Sequence, residues 1–310
     1  TRPLNNYAFE QLLNKLKFGV ITARDTMHLA PDSFTNYIND LKKQKGDEIV
    51  FLRAYDGAGA GAGQGYFRAI CSDKFKVIDN ANIIKTVFPV LANSDGEWTV
   101  VKTLFSDTKM LMSFRSKKHV GEPVVNDLMA LALQITNSEV AQGSFNLQQM
   151  MLTLACLNGM LTSNNLKKKH LGKAVNLDDF QVLTPQTKQK IAEATLSEIK
   201  DNVSYYSQEK SFNQQIELMR LAHEDTLPNN VDTYKLCDNL IEELKDHNKK
   251  DNKLLLESLY KTMNQDGYKG KPISRATIVN TCTGVANLND RFNNADVQEI
   301  SQKAGNKILH

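Results

Sequence analysis

Lysine and arginine side chains recur between residues 66 and 173, close to segments rich in strand-forming residues. Such cations bind phosphate groups, and aromatic rings beside them stack on nucleobases. A basic track with aromatic rings along it therefore predicts binding of a nucleic acid. The candidate binding residues are Arg68, Lys74, Lys76, Lys85, Arg115, Lys117, Lys118, Lys167, Lys168, Lys169 and Lys173, with Tyr66 and Phe75 as candidate stacking rings.

Each of these features also has a simpler structural explanation, which stays open. A lysine run such as 167–169 is typical of a solvated turn, and rings such as Tyr66 and Phe75 are more typical of a core. The charge distribution supports the binding interpretation. Residues 1–180 contain 21 Lys and Arg against 17 Asp and Glu, whereas the remainder contains 17 against 18. The excess positive charge in the first part favours an anionic partner there.

A glycine-rich stretch at 56–65 interrupts two predicted strands. A phosphate-binding Walker loop ends in Gly-Lys-Ser/Thr and opens a helix. Here Gln64 and Gly65 precede a strand that begins at Tyr66, so the lysine and the helix N-terminus of a triphosphate site are both missing. The stretch therefore predicts the tip of a hairpin, and a flexible finger that follows a ligand backbone is the alternative.

The carboxylates supply an enzymatic alternative. Asp73 and Asp79 flank a short predicted strand, with Asn80 adjacent and Glu139 distant in the sequence. A two-metal nuclease needs carboxylates that converge, but a turn at Asp73 and a helix cap at Asp79 explain both positions without metal chemistry. We therefore predict no catalytic residue, no metal and no cofactor, and a metal-dependent nuclease is the minor alternative.

The spacing of cysteine and histidine leads to the same prediction. His119 and His170 follow lysines, and they suit phosphate contact better than catalysis with Cys156, which lies in an apolar segment. The cysteines are too far apart for a zinc motif, so we expect buried thiols in a reducing compartment. They are Cys71, Cys156, Cys237 and Cys282.

No apolar run approaches the roughly 18 residues that span a bilayer, so we expect a cytoplasmic protein without membrane contact.

Apolar periodicity predicts the order of helices and strands. A turn or cap suits Asn137 and Ser138, and a helix C-terminus suits Asn158 and Gly159. Helical patterns cover 4–17, 31–43, 80–91, 148–161, 187–206, 212–223, 233–248, 254–263 and 295–309. Strand patterns cover 18–22, 48–55, a segment from 66, 75–78, a hairpin of 98–105 with 109–115, and part of 123–135.

These elements predict an α+β fold, in which an N-terminal antiparallel sheet with packed helices is followed by a C-terminal α-helical region. The length of 310 residues suggests about two domains. We place an α+β core domain at 1–177, with the glycine-rich hairpin loop at 56–65, and an α-helical region at 178–310.

Several strings, in this order and spacing, resemble the phage/plasmid-like family catalogued as domain of unknown function 932. The resemblance covers most of the chain from about residue 48 onward, and its ending is less sharp. The strings are Ser72-Asp-Lys-Phe-Lys-Val-Ile-Asp-Asn80, Ile135-Thr-Asn-Ser-Glu139, Leu154-Ala-Cys-Leu-Asn-Gly-Met160, Lys169-His-Leu-Gly172, Ile278-Val-Asn-Thr-Cys-Thr283 and Ala304-Gly-Asn-Lys-Ile308.

This resemblance implies a protein of a phage, plasmid or mobile element inside a bacterial cell. Its strand-hairpin-strand-helix core is similar in outline to the single-strand annealing superfamily that includes the Rad-fifty-two and phage recombination proteins. By that analogy the protein binds and pairs single-stranded DNA, more than RNA, as a homo-oligomer during recombination or replication. The alternative is a phage structural or host-interaction protein that uses its C-terminal helices to bind a partner.

Overall fold

The structure is a computed structural model that describes most of the chain. The longer described stretches are 3–45, 50–55, 65–72, 75–124, 127–154, 159–169, 184–228 and 272–284, with a few short pieces between 232 and 263. In this part of the chain, none of the helices has the length and the apolar run that crossing a bilayer requires.

Three helices precede the first strand. The strand predicted over 18–22 is wrong, because Val20 opens the second helix. The β-branched residues there favour a strand, but the helix buries Ala23 in one cluster with Leu13 and Phe34. Tertiary packing therefore outweighs the local propensity. The helices are α1 (Asn6–Lys15), α2 (Val20–Leu29) and α3 (Pro31–Lys45).

A small antiparallel sheet follows, formed by β1 (Val50–Tyr55) and β2 (Tyr66–Ser72). The predicted hairpin pairing of these strands is confirmed, whereas its glycine-rich tip lies outside the described residues. The second short strand predicted over 75–78 is wrong, because residues 76–78 have no regular structure. Phe75 is instead buried with its ring 6.0 Å from that of Phe51.

A five-stranded sheet forms the centre of the protein. Its spatial order is the chain order, and each neighbouring pair is antiparallel. The predicted hairpin of the first two strands is confirmed, as is a strand in the segment that leads to Ile135. The strands are β3 (Trp98–Phe105), β4 (Met110–Gly121), β5 (Met129–Asn137), β6 (Phe145–Thr153) and β7 (Gly159–Lys168).

The helix predicted over 148–161 is wrong, because this segment contains most of β6 and the start of β7. Every residue of β6 is buried, so apolar side chains such as Met150 and Met151 occur at consecutive positions. A strand that is buried on both faces loses its alternating pattern and resembles a buried helix in sequence. Gly159 consequently opens a strand, while Asn158 lies outside the described residues.

Helices pack on one face of this sheet and build the main core. Ile83, Val87 and Leu91 of α4 (Asn80–Asn93) share a buried cluster with Ile199 and Val203 of α5 (Pro185–Tyr206) and with side chains from β4, β5 and β6. The class is therefore mixed α+β, as predicted, and helices after residue 184 complete the core of the sheet. The longer described stretches also contain α6 (Glu209–Glu224) and α7 (Arg275–Gly284), and short helical pieces lie between residues 234 and 263.

The C-terminal part is described only in pieces. The helices predicted over 187–206 and 212–223 are confirmed as α5 and α6. Those predicted over 233–248, 254–263 and 295–309 lie wholly or largely outside the described residues. The domain division at residue 177 stays a prediction.

Candidate nucleic-acid interface

The five strands of the central sheet carry positive charge and no negative charge. Their sequences contain six Lys or Arg residues and no Asp or Glu. Any carboxylate that balances these cations must therefore come from another part of the chain. The six cations are Lys102, Arg115, Lys117, Lys118, Lys167 and Lys168.

Three of the predicted phosphate ligands are balanced by carboxylates. Arg68 Nη1 lies 2.9 Å from Glu139 Oε2, and both side chains are mostly buried. Lys118 Nζ lies 3.3 Å from a carboxylate oxygen of Glu97, and Lys168 Nζ lies 2.5 Å from one of Glu198. Because an adjacent carboxylate repels phosphate, these cations are weaker candidates than the sequence indicated.

The other predicted residues divide by exposure. Lys117, Lys167 and Lys169 are exposed, and no carboxylate of the described chain pairs with them. Lys76 and Lys85 are exposed outside the five strands, and Arg115 is half-buried in the middle of β4.

Phe75, predicted as a stacking ring, is buried against Phe51 and cannot stack on a base, which corrects that prediction. Lys74, Lys173 and His170 lie outside the described residues.

The exposed lysines lie at opposite ends of the sheet. We call one the turn end: it comprises the β3–β4 turn at 106–109, the β5–β6 connection at 138–144 and residues 167–169. The other, the bulge end, contains residues 116–119 of β4, where the pairing jumps from Arg115↔Ala132 to Val120↔Ala130. Arg115 is roughly 17 Å along β4 from the turn end, at about 3.3 Å per residue. The predicted cations therefore form two groups rather than one track.

A network of charged side chains closes the turn end. Glu139, only 12% exposed, accepts a hydrogen bond from the backbone N–H of Asn80 at 2.8 Å and pairs with Arg68. Arg53 Nη2 lies 2.5 Å from Asp79 Oδ1 and 3.7 Å from Glu139 Oε1. Asp79 is the N-cap residue of α4, as predicted, but its side chain makes no capping bond. Glu139 supplies the negative charge at this helix N-terminus instead.

The same network bears on the nuclease alternative. The structure brings Glu139 to Asn80, although the two are 59 residues apart. Both Glu139 and Asp79 are engaged by guanidinium groups, and Asp73 lies outside the described residues. Within the described stretches, no group of three or more His, Cys, Asp or Glu side chains converges on a metal position.

Asn137 and Ser138 stabilise the β5–β6 connection, which confirms the predicted turn or cap. Asn137 Nδ2 donates to the Ile78 carbonyl at 2.9 Å and to Asn80 Oδ1 at 2.7 Å. Ser138 Oγ accepts from the N–H groups of Val140 and Gln142. The connection that carries Glu139 is therefore held on both sides of that residue.

Buried hydrogen bonds shape the bulge end. Ser116 Oγ donates to the Gly96 carbonyl at 2.6 Å and accepts from the N–H groups of Lys118 and His119. His119 Nδ1 lies 3.3 Å from the same oxygen, and its Nε2 lies 3.7 Å from Asp95. This Ser-His-Asp arrangement is not a nucleophilic triad, because Ser116 is fully buried and its proton is directed to a carbonyl. It positions the bulge instead.

Two tyrosines face each other where the small sheet meets its loop. Tyr55 pairs with Tyr66, and their ring centroids are 5.5 Å apart. Tyr66 donates from its hydroxyl to Asp107 Oδ1 at 3.3 Å. Partial burial, together with the Asp107 carboxylate, raises the pKa of Tyr66, so the hydroxyl keeps its proton at neutral pH. Sequence reasoning found Tyr66 and missed Tyr55, although its position just before the glycine-rich stretch was a signal.

A row of polar side chains crosses the face of the central sheet that is opposite the main core. Cross-strand pairing aligns one residue from each strand, over roughly 19 Å at about 4.8 Å per strand. Most of this row is buried, and burial lowers the pKa of Lys102 at its β3 end. The row consists of Lys102, Ser113, Gln134, Gln148 and Asn165. Sequence reasoning missed Lys102 because it treated β3 only as half of a hairpin.

The described cysteines are Cys71, Cys237 and Cys282, all buried and free of disulfides. Burial raises the pKa of Cys237 to about 11 and that of Cys282 to about 12, so both are protonated and unreactive at neutral pH. This confirms the predicted buried thiols for these three, while Cys156 lies outside the described residues.

No family model, no curated protein and no solved structure matches the chain. The resemblance to the phage/plasmid-like family therefore stays a prediction.

Proposed function

We propose that the protein binds single-stranded nucleic acid, DNA more than RNA, and promotes the pairing of complementary strands. One observation carries the proposal: the five strands of the central sheet contain six Lys or Arg residues and no Asp or Glu. Among these six, Lys117 and Lys167 are exposed and pair with no described carboxylate, and such cations attract a polyanion, which releases counterions when it binds.

The turn end is the proposed entry to this surface. Lys167 and Lys169 are exposed there without a described carboxylate partner, whereas Lys168 between them is paired with Glu198. The Tyr55–Tyr66 pair lies at the same end, because Tyr66 contacts the β3–β4 turn through Asp107. Single-strand binding needs both cations and aromatic rings, and the turn end supplies both.

Fluorescence anisotropy of a labelled 30-nucleotide strand at several salt concentrations tests the proposal. Each phosphate contact contributes about 0.7 to the slope of log affinity against log salt for a single strand. The double variant Lys167→Ala/Lys169→Ala is therefore expected to bind more weakly and to reduce that slope by about 1.4. The matched control is Lys42→Ala/Lys210→Ala, which removes two exposed lysines from α3 and α6, outside the five strands.

Both double variants lower the net charge equally, so a nonspecific effect of charge weakens binding in both. The proposed site predicts a loss in the first variant only. Wild-type protein that binds neither single nor double strands at low salt overturns the proposal.

Annealing is measured separately, as the rate at which two complementary strands carrying a fluorescence donor and acceptor form a duplex. The wild-type protein is expected to accelerate this pairing, and the variant Lys167→Ala/Lys169→Ala is expected to lose most of the acceleration.

Light scattering of the same samples tests the homo-oligomer that the resemblance implies. Loss of full-length strand when Mg²⁺ is added would support the nuclease alternative instead.

A further inference from the structure

Tyr55 and Tyr66 form the last residue pair of the small sheet before its loop. Their ring centroids are 5.5 Å apart with an interplanar angle of 42°, and Tyr55 is 46% exposed. An aromatic side chain that belongs to a core is normally far more buried. The pair therefore presents aromatic surface to solvent at a place where packing does not require it.

Contacts with the β3–β4 turn hold this pair in place. The Tyr66 hydroxyl donates to the Asp107 carboxylate, and Arg68 Nη2 donates to the Asp107 backbone carbonyl at 2.8 Å. Arg68 is itself paired with Glu139. A ring fixed before binding loses little conformational freedom when a flat ligand stacks on it, so more of the contact energy appears as affinity.

The pair lies at the same end of the sheet as Lys167 and Lys169. Asp107, which the Tyr66 hydroxyl contacts, lies in the turn before β4, and three strand spacings put the β4 and β7 backbones roughly 14 Å apart at this end. Phosphates follow one another at about 3.4 Å per strand along a B-form duplex, and an unpaired strand can extend further per nucleotide, so about four nucleotides or fewer span this distance. A strand whose phosphates contact the lysines therefore reaches the tyrosines with its next few bases.

We propose that the Tyr55–Tyr66 pair is a stacking platform for an unpaired nucleobase. This inference rests on the proposed function, because it names the part of the same interface that binds bases rather than phosphates. Stacking accepts every base, since each has a π-face. The platform therefore gives preference for unpaired over paired strands without sequence specificity.

The test compares a 20-nucleotide thymidine strand with an abasic strand of the same length, which keeps the phosphates and lacks the bases. The wild-type protein is expected to bind the thymidine strand more tightly. Tyr55→Leu is expected to lose about tenfold in affinity for the thymidine strand, within the range of base–aromatic stacking. Its affinity for the abasic strand and its salt slope are expected to stay unchanged.

Two variants serve as controls. Tyr55→Phe keeps the ring and is expected to bind both strands as the wild type does. Tyr37→Leu removes another exposed tyrosine, which lies on α3 with its ring 5.4 Å from Phe18, and is also expected to leave binding unchanged.

The outcomes separate the two proposals. A wild-type protein that binds both strands equally well overturns the platform and leaves single-strand binding standing, and this comparison needs no variant to fold. Equal losses of Tyr55→Leu on both strands also overturn the platform, because the residue then acts through the shape of the hairpin. A wild-type protein that binds neither strand overturns both proposals.

Discussion

The two ends of the central sheet hold their charged residues in different ways. At the turn end, the partly buried Arg53 and Arg68 contact Asp79 and Glu139 from other segments. At the bulge end, neutral hydrogen bonds from Ser116 shape the backbone, and its ion pair of Lys118 with Glu97 is exposed.

The difference shows which charges are structural. A desolvated charge needs a partner, so the buried arginines of the turn end are matched by carboxylates. An exposed lysine needs none, because water solvates it. Exposed lysines such as Lys167 and Lys169 are consequently available to a ligand, whereas Arg68 is required by the fold.

The largest expected effect on stability comes from a substitution that breaks the charged network of the turn end. Glu139→Gln leaves Arg68 and Arg53 without their shared carboxylate, so we expect a loss of about 3 kcal/mol in the free energy of unfolding. Urea unfolding monitored by circular dichroism measures it. The control is Asp95→Asn at the bulge end, where a carboxylate that is 71% exposed lies 3.7 Å from His119. Its expected cost is about 0.5 kcal/mol or less, and equal losses would contradict the comparison.

A smaller effect is expected from the serine of the bulge end. Ser116→Ala removes the donor to the Gly96 carbonyl and the acceptor of the Lys118 and His119 N–H groups. The Gly96 carbonyl keeps the N–H groups of Lys117 at 3.0 Å and Lys118 at 3.3 Å, so the buried His119 N–H, which loses its acceptor, sets the cost of about 2 kcal/mol. Ser106→Ala is the matched control at the turn end, because that exposed serine accepts from Lys109 N–H at 3.0 Å. Water replaces its bonds, so about 0.5 kcal/mol is expected. The two variants are compared by their urea midpoints, and a reversed order would show that burial does not set the cost.

The smallest effect concerns Lys102, which lies between the two ends. Its lowered pKa means that the folded protein holds this proton less tightly than the unfolded chain, so wild-type stability rises with pH toward the ordinary lysine value of about 10.4. Lys102→Met removes this cost, and we expect a slightly higher urea midpoint at pH 7. The advantage should shrink at pH 10. An advantage that grows with pH would show that burial of the charge is not the cause.

Local patterns predicted elements whose two sides differ in polarity. The β3–β4 hairpin alternates up to an evident turn at 106–107, and the helices over 80–93 and 185–206 have one apolar side. The same patterns failed at β6, where burial of both faces removed the alternation, and at α2, where packing of Ala23 outweighed β-branched neighbours.

The sequence predicted only some of the residues of the candidate binding site. Lys167 and Lys169 are exposed, as a binding role requires, but Phe75 is a core residue and Arg68 is part of an ion network. Tyr55 was missed because its relation to Tyr66 depends on strand pairing across the glycine-rich stretch. Exposure and cross-strand pairing are properties of the folded chain, and residue type alone does not contain them.

The amino-acid sequence by itself determined the type of most elements and the excess of positive charge within residues 1–180. The tertiary structure alone decided which cations are neutralised, because their carboxylate partners come from distant segments: Glu139 is 71 residues from Arg68 in the chain. Secondary structure follows from neighbours in sequence, whereas the balance of charge depends on neighbours in space.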